Sequence, residues 1–159
     1  MTIRVGDRIP EATLTIMGAK GPQPVATGDW FGNRRVVLFS VPGAFTPTCS
    51  AKHLPGFVDH AAEIKARGVD AIGCTAVNDV FVMDAWGKSA GAGEIDMLAD
   101  GNGDFVTALG LELDARTFGM GMRGQRFALV AADGVVTHLF VEGPGEFKVS
   151  SAEHVLASL

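Results

Sequence analysis

Cys49 and Thr46 are the residues of this sequence whose types and spacing could do chemistry, three positions apart in the segment VPGAFTPTCS (41–50). A cysteine becomes a strong nucleophile when its thiol ionises to the thiolate. A threonine hydroxyl can accept one hydrogen bond and donate another, so Thr46 could contact both the sulfur and a bound substrate.

Ionisation of Cys49 at neutral pH needs support from its surroundings. The reference thiol pKa is about 8.5, and lowering it by roughly two units requires ~2.7 kcal/mol. A helix N-terminus contributes about 0.3–1 kcal/mol, and ~2 kcal/mol in favourable geometries, so a fixed cation is also expected near the sulfur. Arginine suits this task better than lysine because it keeps its proton and presents several donors in one plane. Arg123 and Arg126 are equally plausible from the sequence alone.

The segments on either side of Cys49 predict how it is positioned. Residues 36–41 form an apolar run typical of a buried strand, and Pro42-Gly43 indicates a loop after it. A helix is predicted over residues 49–66, so the thiol would lie in its first turn, where backbone N–H groups lack partners. Pro55 interrupts this helix, because proline has no N–H and clashes with the preceding turn, so the helix is expected to kink there or to restart with Pro55 in its first turn. We therefore expect the turn that holds Cys49 to be weakly tied to the rest of the helix.

The remaining patterns predict one α/β domain over residues 1–159, with a mixed sheet and helices on both faces. Residues 9–17 alternate as an edge strand would, residues 20–28 are typical of a Gly/Pro-rich loop, and residues 150–153 (SSAE) form a capping box. Further strands are predicted at 69–77, 95–98, 126–131 and 135–141, and further helices at 79–88, 104–109 and 151–158.

Composition and charge exclude several classes of partner. The chain of 159 residues is 47% hydrophobic and 19% charged, which is typical of a globular domain with a sizeable core. Its net charge of −5 and the lack of a basic run argue against nucleic acid or an anionic membrane as a partner. No apolar stretch approaches the roughly 18 residues of a membrane span, and the N-terminus lacks the apolar region of a signal peptide. A cytoplasmic location is therefore predicted, in which Cys49 and Cys74 would be free thiols.

Residues 41–50 resemble the active-site loop of the peroxiredoxins, in the type II (peroxiredoxin five-like) subfamily. They contain that family's pattern of Pro, three residues, Thr, two residues and Cys. The similarity spans nearly the whole chain. It continues at HLPGF (53–57), VND (77–79), FVM (81–83), WGK (86–88), LAD (98–100) and RF (126–127).

The resemblance implies a thioredoxin-like three-layer sandwich with a central mixed β-sheet. It also implies a thiol-dependent peroxidase that reduces hydrogen peroxide and alkyl hydroperoxides through a sulfenic acid at Cys49. Glutathione with glutaredoxin, or thioredoxin, would regenerate the thiol; no metal or other cofactor would be needed, and the protein would form a homodimer. By the same resemblance, Thr46 would hydrogen-bond thiolate and peroxide, Arg126 would bring its guanidinium near the sulfur, and Pro42 would shield the pocket.

Cys74 follows Cys49 by 25 residues, as the second cysteine does in other type II members. Some relatives carry a resolving cysteine nearer the C-terminus, about where Ser150 stands, and that cysteine is absent here. Cys74 is thus a possible resolving residue, but it lies in the apolar run 69–77, where a packed strand thiol could hardly meet the geometry of a disulfide. We therefore predict that an external thiol such as glutathione reduces an exposed Cys49 sulfenic acid, with Cys74 dispensable.

Other residues near these motifs permit further interpretations. His53, four residues after Cys49, could form a cysteine hydrolase dyad or half of a metal site. No further ligands or orienting partner cluster near it in the sequence, so a satisfied structural or an exposed histidine is predicted. Phe45, Phe81 and Trp86 are expected either in the core or at a dimer interface, where aromatic side chains are enriched.

Two other functions compete with a peroxidase. One is a thioredoxin-fold binding or chaperone module in which Cys49 is a small core residue. The other is a peroxide sensor that passes its oxidation to a partner protein. Peroxide consumption that depends on Cys49 would exclude the first alternative, and slow turnover with small thiols would identify the second.

Overall fold

A mixed β-sheet of seven strands runs through the middle of the molecule, which is seen in a computed structural model that describes residues 2–159. The strands of the described chain are β1 (Thr13–Gly18), β2 (Gly21–Ala26), β3 (Arg35–Ser40), β4 (Ala71–Ala76), β5 (Asp96–Ala99), β6 (Glu112–Asp114), β7 (Met122–Gly124), β8 (Phe127–Ala132) and β9 (Val135–Val141). The large sheet has the order β2-β1-β5-β4-β3-β8-β9, while β6 and β7 form a separate ribbon. Strands β3, β4 and β5 are parallel, and the other neighbouring pairs are antiparallel.

Helices cover both faces of this sheet. The α-helices of the described residues are α1 (Thr27–Phe31), α2 (Leu54–Ala66), α3 (Val80–Ser89), α4 (Asp104–Leu109) and α5 (Ala152–Ser158). The buried side chains of α2, α3 and α5 belong to one hydrophobic cluster, and those of α1 and α4 belong to a second cluster on the opposite face. This arrangement confirms the predicted three-layer α/β sandwich. Within residues 2–159, none of the helices combines the length and the apolar character needed to span a bilayer.

The central strands β3 and β4 are buried on both faces, as is usual for parallel strands covered by helices. Val37 and Phe39 of β3 point toward α2, α3 and α5, and Val36 and Leu38 pack on the opposite side. Phe39 is paired in register with Cys74 of β4, so this cysteine faces the same layer. The sheet thereby places Cys74 in the cluster that also contains Cys49.

One end of the sheet brings together segments that are far apart in the chain. Ser40, the last residue of β3, pairs with Phe127, the first residue of β8. Phe127 pairs in turn with Val141, the last residue of β9. The segments that lead out of or into these three strands therefore emerge side by side, and they carry Cys49 and Arg126.

The expectation of an edge strand at 9–17 and a loop at 20–28 is wrong. Strand β1 lies inside the sheet between β2 and β5, and residues 21–26 form the outer strand β2. Pro22 and Pro24 pair with Met17 and Thr15. A proline cannot donate to a ladder, so this composition predicts a loop, but an outer strand tolerates proline because one of its sides has no neighbour.

The C-terminal helix begins one residue later than the predicted capping box requires. Ser151 is the N-cap of α5, and its Oγ accepts the N–H of His154 at 3.1 Å. Glu153 is therefore not at the third helical position, where it could return a bond to the cap. Ser150 is buried and engaged elsewhere. The other predicted strands and helices lie within two residues of the observed bounds, whereas α1, β6 and β7 were not predicted.

Candidate active site

The loop after β3 is held by the segment that follows β4. The N–H of Ala44 donates to Oδ1 of Asn78 at 2.9 Å. Phe45 has φ 64°, a left-handed conformation that costs a residue other than glycine on the order of 1–3 kcal/mol. Its ring tilts against that of Trp86, with the ring centroids 6.4 Å apart. Such strain persists only where surrounding contacts enforce it, so the shape of this loop is preset by its neighbours.

Cys49 lies in the first turn of a helix, as predicted. Helical geometry begins at Pro47, continues through a π-helical segment, Cys49–His53, and passes directly into α2. The N–H of Leu54 donates to the carbonyl of Cys49, five residues earlier. In a regular α-helix the ring of Pro55 would clash with the carbonyl four residues earlier, and the wider π turn relieves this clash. The α-helix α2 thus starts with Pro55 in its first turn, which is one of the two predicted outcomes, whereas the π-helical turn that joins it to Cys49 was not predicted.

The turn that holds Cys49 is also anchored from outside. The indole N–H of Trp86 donates to Oγ of Ser50 at 3.0 Å. The backbone N–H of Ser50 donates to the carbonyl of Thr46 at 2.9 Å. Trp86 is itself buried between α3 and the sheet. The turn is thus tied more firmly than the sequence predicts, and the bond from the indole must break before the turn can move away.

The sulfur of Cys49 is in direct contact with a guanidinium. Nη2 of Arg126 donates to Sγ of Cys49 at 3.1 Å, and Cζ of Arg126 lies 5.8 Å from the centre of the Phe147 ring. Cys49 is 0% exposed. An anionic sulfur at this depth requires a charged donor, because a buried and unpaired charge is strongly unfavourable. The sulfur is therefore not exposed in this conformation, in which Cys49 is a free thiol.

Arg123, the other candidate cation, has a different set of partners. Its Nε donates to the carbonyl of Met120 at 2.7 Å, and its Nη1 donates to the carbonyl of Val77 at 3.0 Å. It thus ties the beginning of β7 to the segment after β4. Within residues 2–159, the arginine that donates to the sulfur is Arg126. The structure therefore separates two arginines that the sequence alone could not rank.

Thr46 and Pro42 belong to the loop that precedes the sulfur. Oγ1 of Thr46 donates to the carbonyl of Gly43 at 2.7 Å, so its lone pairs remain able to accept a hydrogen bond. The hydroxyl proton of Thr46 is thus donated within the loop. The expected hydrogen bond from Thr46 to the sulfur of Cys49 is not formed in this conformation. Pro42 and Arg126 line a cavity of about 350 Å³ that Leu113 also borders. This cavity lies beside the guanidinium and offers space for a small molecule.

His53 is a buried member of this site. Its Nδ1 lies 2.8 Å from Nη1 of Arg126, and its Nε2 lies 2.9 Å from the carbonyl oxygen of Ser150. Because arginine can only donate, Nδ1 accepts, and Nε2 carries the proton that is donated to Ser150. Burial, together with the positive charge of Arg126, lowers the pKa of His53 to about 3. The predicted satisfied structural histidine is the form observed, but its contact with Arg126 could not be foreseen from the sequence.

His53 has no ring nitrogen left for a metal ion. Both nitrogens are within hydrogen-bond distance of protein atoms. In the part of the chain that the structure describes, no group of three or more His, Cys, Asp or Glu side chains is arranged to hold a metal. The hydrolase alternative also lacks its geometry, because the group that contacts the sulfur is the guanidinium of Arg126.

Glu142 anchors the segment that carries Ser150. Its carboxylate accepts the backbone N–H groups of Lys148, Val149 and Ser150 and the hydroxyl of Ser150, at 2.7–2.9 Å. The N–H of Glu142 donates to the carbonyl of Arg126 at 3.0 Å. Burial acts to raise the pKa of this carboxyl, but the hydrogen bonds, with that from the Ser150 hydroxyl first, outweigh it and lower the pKa. No sequence motif marks this residue, because its partners lie six to eight positions further on.

Cys74 is a fully buried thiol in the interior strand β4, as predicted. Burial raises the pKa of Cys74 well above its ordinary value, with a smaller contribution in the same direction from Cys49. Both cysteines are free and belong to the same hydrophobic cluster. In this conformation Cys74 is therefore a poor nucleophile, because it is held as the neutral thiol.

Comparisons with known proteins identify the family. The model of a family described as Redoxin matches residues 4–156. Peroxiredoxin-2B of Arabidopsis thaliana is 46% identical over 159 residues, an alignment that covers 99% of this chain and 98% of the relative. This chain belongs to the type II peroxiredoxins.

Further relatives agree with this assignment. Peroxiredoxin-2E-2, chloroplastic, of Oryza sativa subsp. japonica is 51% identical over 164 residues, which cover 99% of this peroxiredoxin and 73% of the relative. The crystal structure of reduced Prx3 from Vibrio vulnificus in complex with hydrogen peroxide has a TM-score of 0.96 and 50% identity, and the match covers 99% of each chain. These likenesses confirm the thioredoxin-like fold and the activity of a thiol-dependent peroxidase. They do not favour the binding module or the peroxide sensor.

We predict that Glu142→Gln lowers the free energy of unfolding of this peroxiredoxin at pH 7 by about 1.5–3 kcal/mol, because an amide replaces a charged acceptor of several hydrogen bonds. The folded-state pKa of Glu142 is lower than its unfolded value near 4.5. The stabilisation is therefore fully present above that pH and is lost as the pH falls through the folded pKa. Urea unfolding at pH 7 and at lower pH measures the difference between variant and wild type, which should shrink on acidification.

Glu146→Gln is the matched control for this prediction. Glu146 pairs with Lys148 at the surface, and such pairs contribute about 0–1 kcal/mol. A loss of stability in Glu142→Gln that equals that of the control, or that stays constant as the pH falls, would contradict the prediction.

Proposed function

We propose that Cys49 is the peroxidatic nucleophile of this enzyme and that Arg126, Thr46 and Pro42 complete its active site. The observation that carries the proposal is the hydrogen bond of 3.1 Å from Nη2 of Arg126 to Sγ of Cys49. A guanidinium at this distance favours the thiolate, because charge-assisted hydrogen bonds are about twice as strong as neutral ones. The substrates are hydrogen peroxide and alkyl hydroperoxides, for which the cavity beside Arg126 provides space.

The reaction is a two-electron oxidation of the sulfur. The Cys49 thiolate attacks one oxygen of the peroxide; an S–O bond forms with the sulfur electron pair while the O–O bond breaks. The second oxygen leaves as hydroxide or alkoxide and takes a proton from solvent. A thiol then condenses with the resulting sulfenic acid and releases water, and a second thiol displaces Cys49 from the mixed disulfide.

The three other residues act on different parts of the peroxide. Arg126 stabilises the negative charge that moves from the sulfur to the leaving oxygen. Oγ1 of Thr46, whose proton is donated to Gly43, accepts the hydrogen bond of the peroxide O–H. Pro42 borders the cavity beside Arg126.

We predict that Arg126→Ala lowers the second-order rate constant for peroxide by about 10²–10³-fold, as loss of a donor to a developing charge does in other enzymes. It also moves the midpoint of Cys49 ionisation to higher pH, because the thiolate loses the guanidinium that stabilises its charge. Stopped-flow peroxide consumption and the pH dependence of Cys49 alkylation measure these two effects. Cys49→Ser provides the baseline without turnover.

Arg123→Ala is the matched control, since Arg123 bonds to two backbone carbonyls and not to the sulfur. If Arg123→Ala loses the rate and Arg126→Ala keeps it, the assignment of Arg126 is wrong. If Cys49→Ser retains wild-type turnover, Cys49 is not the nucleophile.

We further propose that an external thiol reduces Cys49, either glutathione with glutaredoxin or thioredoxin. Because Cys49 is fully buried, the turn that begins at Cys49 must open before a thiol can reach the sulfur. Cys74 is also fully buried, and its own burial keeps it as a neutral thiol within β4. Turnover assayed with each reductant in turn identifies the donor.

We predict that Cys74→Ser retains wild-type turnover with glutathione and glutaredoxin, because Cys74 would have to leave the sheet to reach a displaced Cys49. Peroxide consumption under steady state measures this. Wild-type protein treated with one equivalent of peroxide should show no bridge between Cys49 and Cys74 by mass spectrometry. A collapse of turnover in Cys74→Ser together with such a bridge would identify Cys74 as the resolving residue.

We also propose that the enzyme forms a homodimer through the surface that contains Phe45 and Phe81. These side chains are 55% and 64% exposed, an unusual state for phenylalanine. Trp86, which was grouped with them on sequence grounds, is buried in the core and does not belong to this surface. Aromatic side chains are enriched at interfaces, which supports this site of association.

We predict that Phe81→Asp converts the dimer to a monomer, because a charge in an apolar interface loses its hydration. Sedimentation velocity at micromolar concentration compares wild type with the variant. Val5→Asp, at another exposed apolar residue (60% exposed), is the control and should sediment as wild type. A wild-type protein that is monomeric at this concentration would refute the proposal.

The cytoplasmic location stays a prediction.

A further inference from the structure

We propose that His53 is a positioning residue that holds the guanidinium of Arg126 against Cys49 by accepting a hydrogen bond at Nδ1 as a neutral imidazole. The inference rests on the proposed role of Arg126 and deepens it. His53 does not touch the substrate or the sulfur in this account. It acts through the Nη1 atom of Arg126, 2.8 Å from Nδ1, while Nη2 of the same guanidinium donates to Sγ.

The first argument is the fork geometry of the guanidinium. Arginine presents its donors in a rigid plane, so fixing one terminal nitrogen limits where the other can point. Nη1 is fixed by His53 and Nη2 is directed at Cys49. The ring of Phe147 provides an apolar and cation-attracting surface, but it supplies no acceptor that could set the direction of the fork. His53 provides that acceptor.

The second argument is that His53 is itself immobile. Its ring lies among Phe39, Phe57 and Phe147, with ring centroids 4.9, 5.7 and 4.9 Å away. Its Nε2 donates to the carbonyl of Ser150. Ser150 is held in turn by the carboxylate of Glu142, through both its N–H and its hydroxyl. A continuous set of hydrogen bonds therefore runs from a buried carboxylate to the sulfur, and His53 is the link between Ser150 and Arg126.

The third argument is the charge state of the ring. A protonated imidazole would point an Nδ1–H at the Nη1–H of Arg126, and the two positive groups would repel each other. Burial and the charge of Arg126 lower the pKa of His53 to about 3, against a weaker opposing effect of the Ser150 carbonyl and of Glu142. The charged or titratable groups around the ring are thus Arg126 and Glu142, with Cys49 beyond the guanidinium. The imidazole stays neutral over the pH range in which a thiol ionises.

Two amide substitutions separate the positioning role from a merely structural one. His53→Asn places an amide oxygen close to the position of Nδ1, so it keeps the acceptor for Arg126 and loses the bond to Ser150. His53→Gln places its amide close to the position of Nε2, so it keeps the bond to Ser150 and loses the acceptor. If His53 only supports the fold through Ser150, the peroxide rate constant of His53→Gln should resemble that of wild type. If His53 positions Arg126, the rate constant of His53→Asn should resemble that of wild type.

The experiment uses the full chain in a Cys74→Ser background, so that Cys49 is the thiol that reacts. The rate of iodoacetamide alkylation as a function of pH gives the midpoint of Cys49 ionisation without peroxide. Stopped-flow mixing with hydrogen peroxide gives the second-order rate constant, and urea unfolding gives stability. His60→Asn and His60→Gln, which alter a partly exposed histidine of α2 that contacts Glu63 and Glu153, are the matched controls.

We expect His53→Gln to lower the peroxide rate constant by about tenfold to a hundredfold, the scale of a misplaced catalytic group, and to move the ionisation midpoint to higher pH. We expect His53→Asn to retain most of the rate and the wild-type midpoint, even where its stability is lower. Wild type should show a single ionisation step, without a second step near the ordinary histidine value.

Three results would overturn the inference. They are equal losses in both His53 variants, a larger loss in His53→Asn than in His53→Gln, or a wild-type step near pH 6.5 that disappears on substitution. Failure of the proposed function is distinguishable, because it would appear as peroxide turnover in Cys49→Ser. The alkylation profile would still report whether His53 affects the thiol.

Discussion

The hydrogen bond from Nη2 of Arg126 to Sγ of Cys49 is the interaction on which the rest of the site depends. The sulfur is fully buried, and an anion in that position is tolerated only beside a charged donor. Arginine is the side chain that can satisfy this need, since it keeps its charge at every relevant pH and fixes its donors in a plane. The π turn on one side and the links through His53 on the other side hold the two groups at this distance.

Sheet topology explains how groups so far apart in the chain meet. Cys49 follows β3, Arg126 precedes β8, and Ser150 follows β9. Because β8 is antiparallel to both β3 and β9 and lies between them, the end of β3, the start of β8 and the end of β9 coincide. A parallel arrangement of these strands would put Arg126 at the opposite end of the sheet. The antiparallel half of this mixed sheet is therefore what makes the site possible.

Local patterns in the sequence predicted part of this site, and long-range contacts determined the rest. The strand–loop–helix succession around Cys49 is visible because apolar runs, Pro-Gly and helix spacing are properties of neighbouring residues. His53 was visible as a residue but not as a partner of Arg126, since 73 positions separate them. Nothing in the sequence predicted the role of Glu142, which appears there only as a charged residue at the end of a strand. Pro55 correctly marked the first turn of α2, but the π turn before it was not predicted, because composition does not encode whether a helix widens to avoid a clash.

Burial of Cys49 places different demands on the two halves of the cycle, because a peroxide is small and a reducing thiol is bulky. The sulfur is 0% exposed, so the proposed reduction by an external thiol requires the turn that begins at Cys49 to open further than the entry of a peroxide does. An opening of this turn releases the bond from Trp86 to Ser50, but the turn ends at His53, which accepts a hydrogen bond from Arg126. Movement confined to residues 49–52 leaves the guanidinium, His53 and Glu142 in place, whereas unwinding that reaches His53 removes the acceptor of Nη1. The cation is therefore already oriented for the returning sulfur only if the opening stops short of His53.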